Sequence, residues 1–141
     1  MSMSSRINRR SFFQSTAVLS AAAYTIGPAV LSRAAPSRLL RVAIMGVNSR
    51  GIAHIQGWAA QADVEIAWIC DVDRRALQRA AAQVEKITGR APKTSDDVRR
   101  VLEDRELDVL SIATPNHWHA PATIMACAAG KHVYVEKPGS H

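Results

Sequence analysis

From Leu39 onward, short runs of consecutive apolar residues alternate with stretches of helical spacing, and this alternation restricts the chain to few folds. A strand covered on one face alternates apolar and polar side chains, whereas one covered on both faces does not. "LLRVAIMG" and "VEIAWICD" are of the second kind, and so are "DVLSIAT" and "HVYVE", the last running from Val133 to Glu136. Between them, Ile52, Ile55 and Ala59 share one helical face. Leu77, Ala80, Ala81, Val84 and Ile87 share another, which stops at Gly89. A short extended piece at Lys93-Thr94 precedes a helix opened by Ser95-Asp96-Asp97, with Val98, Val101 and Leu102 inward. "APATIMACAAG" makes a further helix, capped by Gly130. The expected class is α/β: a Rossmann-type doubly wound parallel sheet that stops after its fifth strand.

The formal charge of +6 does not describe this sheet. Arg6, Arg9, Arg10 and Arg33 precede residue 35, where no acid stands, and the rest holds fourteen basic against twelve acidic residues. No basic stripe is interleaved with aromatics, so no nucleic-acid partner is expected. Cys70 and Cys127 lack a CxxC spacing and lie in apolar surroundings, which predicts buried thiols, with a disulfide left open by the export reading.

Residues 1–34 read as a separate segment. A basic start, Arg9-Arg10, a mildly apolar run from Thr16 to Leu31 and the small-residue exit Ser32-Arg33-Ala34 come in the order of a secretory signal. The arginine pair followed by Ser11, Phe12 and Phe13 resembles the twin-arginine (Tat) signal. Gly27-Pro28 breaks the apolar run, so no stable membrane anchor is expected. The expectation is a partner in the Tat translocase, a periplasmic or extracellular destination, and a mature domain over residues 35–141.

"GVNSRG" joins the first strand to the first helix. Gly46 and Gly51 fill the outer places of the dinucleotide fingerprint GxGxxG, while Asn48 holds the middle one, with Ser49 and Arg50 completing the loop. Asn tolerates left-handed backbone angles better than most residues, but its side chain crowds a phosphate. Alone, the loop fits an unliganded turn equally well. Asp71 tips the balance, because it ends the second strand where a carboxylate accepts both adenosine ribose hydroxyls. The same acid favours NAD, while Arg74 and Arg75 leave NADP possible. His117 and His119, two apart, suit neither a strand nor a helical metal site, so no metal is expected. Trp58, Trp68 and Trp118 read as packing residues, Trp118 also as a border of a substrate cleft.

"ATPNHWHAPATI" and "VYVEKP" carry a resemblance to a known family. Thr114, Pro115, Asn116 and His119 with Glu136, Lys137 and Pro138 resemble the TPNxxH and EKP motifs of the Gfo/Idh/MocA NAD(P)-dependent oxidoreductases, in particular a Tat-exported bacterial branch. The resemblance implies that Thr114, Pro115, Asn116 and His119 serve the cofactor, that Glu136 bonds the nicotinamide ribose, and that Lys137 takes the proton of a substrate hydroxyl. A lysine does this once a positive neighbour or desolvation lowers its pKa. The resemblance further implies a sugar or cyclitol substrate, a homo-oligomer for the complete protein, and a C-terminal substrate domain absent from these residues. The expectation is therefore an incomplete, inactive dinucleotide-binding portion of such an oxidoreductase. Two alternatives stand beside it: a non-catalytic dinucleotide-binding module, or part of an NAD-dependent glycosidase of the same family.

Overall fold

The computed structural model describes residues 39–139, so the signal-peptide reading of residues 1–34 lies outside the described residues. In chain order the elements are β1 (Leu40–Met45), α1 (Arg50–Ala59), β2 (Val64–Cys70), α2 (Arg74–Thr88), β3 (Lys93–Ser95) and α3 (Val98–Leu102). They continue with β4 (Val109–Ile112), a 3-10 turn (Asn116–Trp118), α4 (His119–Ala128) and β5 (His132–Val135). The five strands form one sheet in the order β3-β2-β1-β4-β5, and every pairing is parallel. The doubly wound expectation holds. β1 is central, and the chain reverses its winding direction between β1 and β4.

Burial explains why the strands do not alternate. Val42 and Ile44 of β1 pack with Ile55, Ile66, Ile69, Ala80 and Val84 beneath α1 and α2. Ala43 and Met45, the intervening positions, pack with Val98, Val101, Leu110 and Ala122 beneath α3 and α4. Each fully buried aliphatic side chain contributes roughly 1.5–3 kcal/mol relative to exposure. Both faces of β1 thus carry core, and a slip of one residue would interchange them.

Local signals set the boundaries. Asp73 caps α2 by accepting from the backbone of Arg75 (2.8 Å) and Ala76 (3.3 Å), and Gly89 closes the helix at φ +72°. Asp97 caps α3 in the same manner. Two side chains depart from expectation. Ile87 is half exposed, since the buried stripe of α2 runs Ala76, Ala80, Val84 and ends there. Cys127 is exposed on α4, whereas Cys70 is buried, and neither is in a disulfide. Burial pushes the Cys70 thiol up to about 12, which keeps it protonated and unreactive. Among the described residues no helix is long and apolar enough to cross a membrane.

Candidate dinucleotide site

The site starts from two glycines whose missing side chains let three segments meet. Gly46 turns at φ +85°, and a Cβ there would lie 2.7 Å from the Thr114 amide nitrogen and 2.8 Å from the Ala113 carbonyl carbon. A Cβ on Gly51 would sit 1.9 Å from the Gly46 carbonyl oxygen. The first glycine therefore admits the loop after β4, and the second admits the first turn of α1 against the end of β1. Among the described residues no non-glycine has positive φ, so Asn48 is not left-handed. Gly46 alone takes the tight turn, and the Asn48 side-chain oxygen accepts from Arg79 of α2 at 3.1 Å. Ser49 precedes α1 without capping it through its side chain, and is exposed.

Asp71 follows β2 and secures the loop. Its Oδ2 accepts the Val47 N–H at 2.7 Å and its Oδ1 the Asp73 N–H at 2.9 Å. A carboxylate oxygen has two lone pairs, so each retains one for a hydroxyl donor. Gly46, Asp71, Val72, Thr114, Pro115 and Trp118 then line one crevice of about 870 Å³ at the carboxyl ends of the strands. Trp118 thus borders the part of the crevice that holds Asp71. Thr114 Oγ1 is buried with no hydrogen-bond partner among the described residues.

The remaining predicted residues are placed elsewhere. Asn116 and Lys137 are exposed and do not line that crevice. Lys137 makes no hydrogen bond or ion pair with the described residues, and its bond to Pro138 is cis. His119 is fully buried, with its ring nitrogens 2.7 Å from the Pro138 oxygen and 2.9 Å from the Thr114 oxygen. It ties two loops together beneath the crevice rather than facing it. Glu136 extends β5 through an N–H bond to the Ile112 oxygen, and its carboxylate turns to α1. There Oε1 accepts from Arg50 Nε at 2.6 Å and meets His54 Nε2 at 3.1 Å. The Arg50 guanidinium, aided by His54, holds the Glu136 carboxyl down to about 2. Arg50, His54, Trp58, Tyr134 and Glu136 line a separate cavity of about 490 Å³.

His54 escaped the reading of the sequence. It stands beside Ile55 on the buried stripe of α1, and the one polar residue inside β4, Ser111, lies 2.8 Å from its Nδ1. A histidine on an apolar helical face paired with a serine in an apolar strand was the available signal. Among the described residues no three His, Cys, Asp or Glu side chains gather where they could hold a metal ion.

The residues fit a dinucleotide on three observations of this structure. They are the glycine cradle, an α1 start whose amides have no side-chain cap, and an unpartnered buried hydroxyl at the crevice wall. Comparison with known proteins agrees. Residues 40–140 match the Gfo/Idh/MocA model, described as an oxidoreductase family with an NAD-binding Rossmann fold. A glycosyl hydrolase family 109 protein of Shewanella sp. (strain W3-18-1) is 35% identical over 117 residues, which are 79% of this chain and 26% of that protein. GenD2 from gentamicin A biosynthesis, solved in complex with NAD, superposes with a TM-score of 0.67 at 27% identity, covering 73% of this chain and 28% of GenD2. Levoglucosan dehydrogenase in complex with NADH and levoglucosan gives 0.65 at 30% identity, covering 73% of this chain and 29% of that enzyme. The chain thus spans little more than a quarter of the length of these relatives. It belongs to the Gfo/Idh/MocA oxidoreductase family, and residues 40–140 are its NAD-binding Rossmann domain.

Proposed function

We propose that this chain is the dinucleotide-binding portion of an NAD-dependent oxidoreductase that acts on a hydroxyl of a sugar or cyclitol. The observation that carries it is the crevice lined by Gly46, Asp71 and Thr114. In this reading Gly46, Gly51 and the first amides of α1 receive the pyrophosphate. Asp71 accepts the adenosine ribose hydroxyls, and Thr114 and Pro115 bound the nicotinamide side. NAD, when bound, supplies the hydride acceptor. Lys137, at the end of β5, takes up the proton of the substrate hydroxyl at Nζ. Sugar and cyclitol chemistry is supported by neighbours such as levoglucosan dehydrogenase, solved with a sugar substrate.

Titration of the full chain with NAD and NADP tests this reading. NAD should bind more tightly, and Asp71→Ala should cost it about 1–3 kcal/mol, roughly 5–150-fold in Kd, while narrowing the gap to NADP. Tighter NADP binding by the wild type would hand the choice to Arg74 and Arg75.

A second reading is favoured by the curated relatives, which are named as glycosyl hydrolases of family 109. There the same site would oxidise and re-reduce a sugar so that a glycosidic bond is cleaved without net redox change. Product analysis of the complete protein separates the two: an oxidised sugar with NADH, or a cleaved glycoside with NAD regenerated. Export through the Tat pathway to the periplasm or beyond belongs to the same proposal and rests on Arg9-Arg10. Replacing both by lysine should leave precursor in the cytoplasm, and unchanged delivery of that variant would end the export reading.

A further inference from the structure

Glu136 and Lys137 are neighbours in sequence, yet the strand that carries them gives them different surroundings. Along β5, Val133 and Val135 pack on the α3 and α4 side. Tyr134, in the opposite phase, meets the ring edges of His54 (5.3 Å) and Trp58 (6.0 Å) on α1. Successive side chains of a strand take opposite faces, so Glu136 continues the phase of Tyr134. It arrives at His54 and Arg50.

With a neutral imidazole, the polar groups there satisfy one another in a single arrangement. Trp58 Nε1 can only donate, and it gives its hydrogen to Ser111 Oγ at 2.9 Å. The Ser111 hydroxyl then donates to His54 Nδ1, at 2.8 Å. That leaves the Nε2 hydrogen of His54 for Glu136 Oε1, the same oxygen that accepts from Arg50 Nε. The order serine, histidine, carboxylate is that of a nucleophilic triad. Hydrolysis is excluded here, because Ser111 is wholly buried with its oxygen already bonded by Trp58, and no acyl group can reach it.

We propose that His54 is a positioning residue: with Arg50 it clamps Glu136 to α1, and so fixes the strand end bearing Lys137 relative to the glycine loop that opens the same helix. The proposal rests on the reading of Lys137 as the reactive lysine. Arg50 and Glu136 line a cavity separate from the crevice that holds Gly46 and Asp71. The carboxylate is ionised at neutral pH, as a clamp on a guanidinium requires.

Hydrogen exchange of the full chain tests the clamp without any dinucleotide. The Glu136 amide, bonded to the Ile112 oxygen, reports opening of the strand end, and the β1 amides report the fold. His54→Phe keeps the volume and removes the bonds, whereas His54→Gln keeps an acceptor and a donor. Exchange at the Glu136 amide should rise about tenfold or more in His54→Phe and stay within about threefold in His54→Gln, with β1 unchanged. Wild-type exchange in His54→Phe would overturn the proposal, since packing alone would then suffice. Should that variant fail to fold, Arg50→Gln and Glu136→Gln act at the exposed end. Each should speed exchange of the Glu136 amide, and the double variant should be no faster than Glu136→Gln alone. Additive effects would overturn the clamp. If the wild type bound no NAD, the cofactor reading would fail while the exchange results still decided the clamp.

Discussion

Replacing Gly51 by alanine is expected to destabilise the protein by about 3 kcal/mol or more, or to prevent folding. The new Cβ would lie 1.9 Å from the Gly46 carbonyl oxygen and 2.9 Å from its carbon. Both are backbone atoms, and Gly46 has nowhere to go. Its N–H is bonded to the Cys70 oxygen at 2.9 Å, and the Thr114 backbone crowds its other side. α1 cannot retreat either, because Ile55 anchors it in the core with no exposed surface. Alanine favours a helix over glycine by about 1 kcal/mol, which is too little to offset such a contact. Gly57, in the same helix, supplies the control. A Cβ there would meet nothing within 4 Å, so Gly57→Ala should gain up to about 1 kcal/mol. Urea unfolding of both variants measures the difference. A Gly51→Ala midpoint equal to wild type would dispose of the close-approach account.

His119→Ala is expected to cost about 2–5 kcal/mol and to weaken NAD binding as well. The imidazole is buried to the last 1% of its surface, so its removal leaves a cavity. It also removes the ring nitrogens that lie 2.7 Å from the Pro138 oxygen and 2.9 Å from the Thr114 oxygen, of which a neutral imidazole donates to one, and the loops of both carry the crevice wall and the lysine. Lys137 is thereby held from both sides, Glu136 by α1 and Pro138 by His119. His119→Asn, whose amide keeps N–H donors, should recover part of the loss. Unfolding and NAD titration of the two variants, run together, give the measurement. A loss below about 1 kcal/mol would mean that neither carbonyl depends on the ring.

What the sequence revealed and what it hid divide along a physical line. Strand positions, the stop of α2 at Gly89, and the outer glycines of the loop were legible, because each depends on local conformation or on apolar runs. The surroundings of Glu136 were not. Its motif neighbours suggested a common site, although alternation along β5 already paired it with Tyr134. His54 and Ser111 stand far apart in sequence, and only the pairing of the strands brings them to 2.8 Å. The fingerprint does not say which residue of the loop supplies the left-handed angle, and the structure gives it to Gly46. Cys127 and Ile87 show that membership of an apolar helix does not fix exposure, which depends on the width of the face the sheet covers.

The central place of β1 has a further consequence, for the kinetics of folding. One edge of β1 pairs with β2, across the single crossover of α1. Its other edge, residues 42–45, pairs with residues 109–112, and α2, β3 and α3 are all made in between. Closing such a distant pair delays its reward until much of the chain has been ordered, so docking of β4 should set the pace of folding. As the chain leaves the ribosome, β1 waits with one row of backbone donors and acceptors unpaired. Until β4 arrives, that row is where another nascent chain could add itself, and misassembly competes with folding at this one edge.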